Sequence, residues 1–132
     1  MKPNNEIFVF GSNEAGRHGK GAAAFAKKNH GAVSGVGHGL EGNSYALPTK
    51  DRDLRRLTLL QISGYVDIFL VHAECFPENI YLITRVGCGL AGFKDEEIAP
   101  LFKEAPRNCY FDKKWKPYLG GDFNYWGTYF DK

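Results

Sequence analysis

The stretch Ile7–Lys28, IFVFGSNEAGRHGKGAAAFAKK, constrains this chain more than any other. Ile7-Phe8-Val9-Phe10 is an apolar run of β-branched and aromatic residues and reads as a buried strand. Gly11, Ser12 and Asn13 stand where that strand should run out, and a loop holding Gly16, Gly19 and Gly21 follows, with Arg17, His18 and Lys20 among the glycines. From Ala22 to Lys28 the composition is that of a helix, with its cations late, where they suit the dipole. Strand, glycine loop and helix start together aim free backbone N–H groups and a positive helix end at an anion.

The remainder alternates in the same manner. Asn29-His30-Gly31 reads as a helix stop, and Gly35–Ser44 holds too many glycines for regular structure. A short strand is expected over Ser44–Leu47, ended by Pro48, and Arg52–Thr58 is a polar connection with room for a short edge strand. Ile62, Val66, Phe69, Leu70 and Ala73 recur at helical spacing, predicting an amphipathic helix over Leu60–Ala73. Ile80–Val86 is a second clear strand, running into Gly87-Cys88-Gly89-Leu90-Ala91-Gly92-Phe93. Asp95 reads as an N-cap for a helix to about Glu104, with Pro100 delaying its regular part, and Asn108–Phe111 as a last strand. The aromatic-rich tail, residues 112–132, has no place in this pattern. The expected fold is a single α/β domain over 1–132, with ligand where loops leave the strand ends.

Composition excludes several function classes. A 132-residue chain can bury about two thirds of its unfolded surface in one core. A net charge of +2 gives no general pull toward nucleic acid or membrane, so anion recognition must be local. Three cysteines without a CxxC favour a reduced, cytoplasmic setting; no signal peptide is expected, and no apolar run approaches the ~20 residues that span a bilayer. His18, His30, His38 and His72 lack metal-site spacing, and no zinc, P-loop or Rossmann fingerprint occurs, so neither metal nor cofactor is expected.

Two glycine turns after two strands would form opposite lips of one cleft if the strands are neighbours, holding a diphosphate by backbone amides. Lys50, at a predicted strand end, is the candidate nucleophile. Cys88, between two glycines, is a candidate reactive thiol, but no histidine can be assigned to it as base, and small-residue packing is the simpler reading. His18 is a candidate ligand contact, and His72 reads as structural.

These residues resemble a known family. Thr84–Leu90, TRVGCGL, resembles the RIGCGL segment of the macrodomain called terminal ADP-ribose protein glycohydrolase. Leu47-Pro48-Thr49-Lys50 resembles that enzyme's strand ending in Thr-Lys, and Gly19-Lys20-Gly21-Ala22-Ala23 the Gly-x-Gly-hydrophobic-Ala segment of macrodomains. The opening is also similar to small macro-like proteins of bacteria and their phages, which begin FGSN-x-x-G-x-H-G-x-G-A-A. The match runs over roughly Ile7–Phe102, with gaps. It implies a macrodomain-like three-layer α/β/α fold with a central mixed sheet that binds ADP-ribose or a derivative. It implies catalytic roles for Lys50, which forms an adduct with the distal ribose, and for Asn13 beside that ribose. Gly11, Ser12, His18, Gly19, Gly21, Ala22 and Val86–Ala91 (Val86, Gly87, Cys88, Gly89, Leu90, Ala91) would surround the ligand, with Phe93 packed on a ribose or the adenine. The implied activity is hydrolysis of an ADP-ribose conjugate, by a glycohydrolase or an ADP-ribose 1″-phosphate phosphatase. The family's acidic residue after GCGL is replaced here by Ala91, with Asp51 and Asp95 the nearest substitutes in sequence. That replacement keeps open a non-catalytic module or sponge for ADP-ribose or another NAD-derived nucleotide. Nucleic acid enters as a modified substrate, or as a direct partner if the tail aromatics stack on single strands. No membrane partner is expected.

Overall fold

The computed structural model describes residues 5–129. Six strands form one sheet: β1 Glu6–Asn13, β2 Gly39–Glu41, β3 Ser44–Lys50, β4 Ile80–Ile83, β5 Cys109–Asp112 and β6 Asn124–Gly127, in the order β2-β3-β1-β4-β5-β6. β2 runs antiparallel to β3 and every other pairing is parallel, so the sheet is mixed. Four α-helices accompany it: α1 Gly21–Asn29, α2 Leu59–Cys75, α3 Asp95–Ile98 and α4 Lys116–Leu119.

Alternation along β1 sets the layers. Phe8 and Phe10 point to one face and pack with Ala46 against Ala23 and Ala26 of α1. Ile7 and Val9 point to the other, joining Tyr45, Leu47, Tyr81 and Ile83 against Ile62, Val66, Phe69 and Ala73 of α2, with Ile98 and Phe102 beside them. Helices therefore cover both faces, and the fold is a three-layer α/β/α domain with a central mixed sheet. The chain leaves β1 toward β3 on one side and later returns to β4 on the other. The carboxyl ends of β3, β1 and β4 thus surround a topological switch point, where open α/β sheets leave a crevice.

Several local expectations change. β3 continues through Pro48 to Lys50, because β2 pairs only with Ser44–Ala46 and the strand's outer side needs no donor at Pro48. β4 ends at Ile83 rather than Val86: the N–H and Oγ1 of Thr84 both donate to the Val9 carbonyl (3.1 and 2.7 Å), and the chain then turns away. The expected edge strand in Arg52–Thr58 is one antiparallel bridge, Lys50 to Arg56. Asp95 is not a cap, since Lys94 occupies that position and its N–H is taken by Glu97 (2.9 Å). Pro100 ends the α-helical geometry, and Ala99–Phe102 is a 3₁₀ helix.

The tail, unplaced from sequence, completes the fold. Trp115 is fully buried against Phe102 and Phe111, and β6 adds a parallel strand beyond β5. The buried Asp112 carboxylate accepts from the N–H of Lys114 (2.9 Å), the hydroxyl of Thr128 (2.7 Å) and the N–H of Tyr129 (3.2 Å). Phe130, counted with the tail aromatics, lies outside the described residues. Among the described residues no helix is long and apolar enough to cross a membrane.

Candidate functional site

The crevice at the switch point is a cleft of ≈ 460 Å³, within the size range of small-molecule sites. One wall is the end of β1 with the start of α1: Gly11, Ser12, Asn13, Arg17 and Gly19–Ala23. The opposite wall is Thr84–Ala91, and Thr49, Lys50 and Leu54 close one end. Close approach of the walls requires Gly11, where a β-carbon would lie 3.3 Å from the Gly87 nitrogen.

Both walls present unused donors. At α1 the cap residue is Lys20, whose side chain accepts nothing, and the first intrahelical bond runs from the Ala24 N–H to the Lys20 carbonyl (3.2 Å). The N–H groups of Gly21, Ala22 and Ala23 have no partner among the described residues. On the facing loop, Cys88 and Gly92 spend their N–H groups on the turn carbonyls of Arg85 and Gly89 (3.0 Å each). Those of Gly87, Gly89, Leu90 and Ala91 have no partner among the described residues. Four cationic residues, Arg17, Lys20, Lys50 and Arg85, line the cleft and no described carboxylate does. Arg85 is compensated by its ion pair with Asp95, so the local excess of positive charge rests on Arg17, Lys20 and Lys50, in a chain of net charge +2.

Lys50 is half-buried at the end of β3, opposite Asn13 of β1 across a register irregularity. No hydrogen bond or ion pair holds its ammonium group among the described residues. Asn13 lines the same end, but its amide is already engaged. Its Oδ1 accepts the Arg17 N–H (2.9 Å) and its Nδ2 donates to the Arg17 carbonyl (2.8 Å), which fixes the loop between them.

Two expected contacts lie off the cleft. His18 is buried with its Nε2 3.0 Å from the Val36 carbonyl and its ring edge-on to Phe10, so it braces the loop from beneath. Phe93 is buried under Gly87 with the Arg56 guanidinium 4.1 Å from its ring centre. The other expected ligand contacts, from Gly11 to Ala91, all line the cleft. Cys88 lies in the wall with its thiol donating to the Val86 carbonyl (3.6 Å); burial, aided by the Asp95 charge, pushes that thiol up to about 12, and it stays protonated. It is a packing residue.

Neither acidic substitute reaches the cleft. Asp51 Oδ1 accepts the N–H groups of Asp53 and Arg55 (2.9 Å each). Asp95 takes two bonds from Arg85 (2.8 and 2.7 Å) and one from the Trp115 indole (2.8 Å). Burial works to raise the Asp95 carboxyl, but the bonds from Arg85 and Trp115 outweigh it and hold the group below its usual range.

Sequence reasoning missed Arg17, Lys20, Ala23, Thr49, Leu54, Thr84, Arg85 and Tyr129 as cleft residues. Leu54, in what reads as a polar connection, and Tyr129 had no signal in their neighbourhood; the position of Tyr129 depends on Asp112 and a strand that pairs far from the opening motif. Comparison with protein-family models, with curated proteins and with solved structures gives no match.

Proposed function

We propose that the cleft binds ADP-ribose or a derivative, with the diphosphate between the α1 start and the Gly87–Ala91 loop and the distal ribose beside Lys50. The observation that carries this reading is the pair of unpartnered donor sets on residues that line the cleft, three N–H groups at α1 and four on the loop, with Arg17, Lys20 and Lys50 beside them and no described carboxylate in the lining. A diphosphate matches two converging sets of amides, and it needs no metal to be held by them. Tyr129, and not Phe93, supplies the aromatic wall for the nucleoside.

Lys50 gives the site its chemistry. Its amine attacks C1″ of the distal ribose. A C1″–N bond forms, the bond from C1″ to the conjugated group breaks, and the departing oxygen takes a proton. Water then attacks C1″, releasing ADP-ribose and restoring the amine. A second reading is favoured by a specific observation. With Ala91 after GCGL, and Asp51 and Asp95 committed elsewhere, no described carboxylate is placed to activate that water. The site would then be a reader or sponge.

Calorimetric titration with ADP-ribose tests the common part, and absence of binding removes both readings. Release of ADP-ribose from an ADP-ribosylated glutamate peptide, from ADP-ribosylated DNA or from ADP-ribose 1″-phosphate separates them. Turnover by the native chain that Lys50→Ala abolishes, while leaving ADP-ribose affinity within a few-fold, supports the hydrolase. Binding without turnover supports the module.

A further inference from the structure

Leu54 is the one described non-glycine residue with positive φ, at +64°. The left-handed region is costly for a branched side chain, and glycine or asparagine would sit there more easily. The conformation is imposed by a closed hairpin. Asp51 donates its N–H to the Arg55 carbonyl (2.8 Å), and Leu54 donates its own to the Asp51 carbonyl (3.1 Å). Asp51 Oδ1 ties down Asp53 and Arg55, and the Leu57 N–H reaches the Thr49 carbonyl (2.9 Å). The hairpin base is held by the Lys50–Arg56 bridge and by Arg56 over Phe93. The rigid loop uses this strained position to hold a leucine in the cleft wall, 41% exposed, in the hairpin that leaves β3 directly after Lys50. Strain retained in a pinned loop at a ligand cleft is a mark of function.

We propose that Leu54 forms a subsite for an uncharged, apolar group carried at C1″ of the ligand. The inference rests on the ADP-ribose reading above: with the diphosphate between the two donor sets and the ribose at Lys50, a substituent on C1″ leaves toward this hairpin. The subsite selects conjugates with a flat or apolar group on the anomeric carbon over those ending in a free hydroxyl. Arg52 and Arg55 are exposed and outside the cleft lining, with the Arg52 guanidinium donating to the Glu14 carbonyl (3.5 Å), so the apolar contact at this end falls to Leu54.

The test compares ADP-ribose with NADH, which carries an uncharged dihydronicotinamide at C1″, in calorimetric titrations of the native chain and of Leu54→Asn and Leu54→Gly. The native chain is expected to bind NADH roughly tenfold more tightly, the discrimination that one apolar contact supplies. Both variants lose that ratio while ADP-ribose affinity stays within about twofold, and Leu54→Asn melts no lower than the native chain because the strain is relieved. Equal affinity of the native chain for the two nucleotides, or a ratio the variants keep, overturns the subsite alone. Failure of both nucleotides to bind the native chain overturns the ADP-ribose reading and this one with it.

Discussion

Asp95→Ala probes the joint between the cleft wall and the core. The carboxylate accepts two bonds from Arg85, which lines the cleft, and one from the indole of Trp115, which is fully buried. The ion pair is partly open, with side chains 31% and 18% exposed, so its share is about 0.5–1 kcal/mol. The indole N–H is different: without an acceptor in a closed site it costs about 1–3 kcal/mol. Together these give a loss of roughly 1.5–4 kcal/mol. An unfolding entropy near ~2.1 cal/mol/K per residue makes each kcal/mol worth about 3.6 °C for 132 residues, so Tm should fall by ~5–14 °C. Asp95→Asn keeps an oxygen for the indole and loses only the charge, and should fall by ~2–4 °C. Thermal melts by circular dichroism measure both. Because Asp95 is held below its usual range when folded, its contribution is present above the unfolded carboxyl pKa, about 3.9. It is lost as pH falls through the lower folded value, so the difference between native and Asn variant should close under acid. If Asp95→Asn proves as damaging as Asp95→Ala, the charge and not the indole acceptor dominates, and the reasoning is wrong.

Three further predictions concern the rest of the frame. Gly37→Ala would place a β-carbon 2.1 Å from the Asn13 carbonyl oxygen; it should cost about 1–3 kcal/mol in urea unfolding and also weaken ADP-ribose by displacing the Asn13–Arg17 loop. Thr58→Ala removes the cap that accepts the Gln61 N–H (3.2 Å) and should cost about 1 kcal/mol, with ADP-ribose affinity unchanged because α2 covers the other face of the sheet. Brief iodoacetamide treatment of the native chain near neutral pH should modify the exposed Cys75 alone, seen by mass spectrometry, since burial pushes Cys88 and Cys109 to about 12; prompt labelling of Cys88 would contradict its assignment to packing.

What was legible in the sequence was local. The unbroken apolar run Ile7–Phe10, buried on both faces of the sheet, and the 3.6 period of Ile62–Ala73 are local signals, so the strand, the helix and the layered class could be read directly. The glycines were harder, because one residue type answers two demands. Gly87 and Gly89 do line the cleft, but Gly16 and Gly37 are required by backbone contact between two loops. A β-carbon on Gly16 would meet Gly35 at 2.4 Å. In the same brace Ser12 donates to the Gly37 carbonyl and Gly35 donates to Gly16 (2.9 Å). Composition cannot separate a glycine that admits a ligand from one that admits another strand of backbone. Tail placement was not legible for a related reason: Trp115 is core and Asp112 an anchor only once β5 has found β4, a pairing across 28 or so residues that no local pattern specifies.

The contrast between the two long helices bears on function. α2 begins with a reciprocal cap, Thr58 accepting from Gln61 and Gln61 accepting from the Thr58 N–H (2.9 Å). α1 begins on Lys20, which has no acceptor, although its backbone is already extended there (φ −144°, ψ 159°) and a serine could cap it unchanged. The helix is therefore left about 1 kcal/mol short of the stability its own geometry allows, and the three residues with open N–H groups, Gly21, Ala22 and Ala23, line the cleft. Lys20→Ser should recover that deficit, raising Tm by ~2–5 °C as the new hydroxyl takes the N–H of Ala22 or Ala23. The same bond competes with a phosphate for the same donors, so ADP-ribose affinity should fall severalfold, and further in Lys20→Asp, whose negative charge opposes the anion. A gain in stability coupled to a loss in affinity would identify the α1 start as the phosphate seat. Stabilisation with affinity retained in Lys20→Asp would place the diphosphate elsewhere in the cleft.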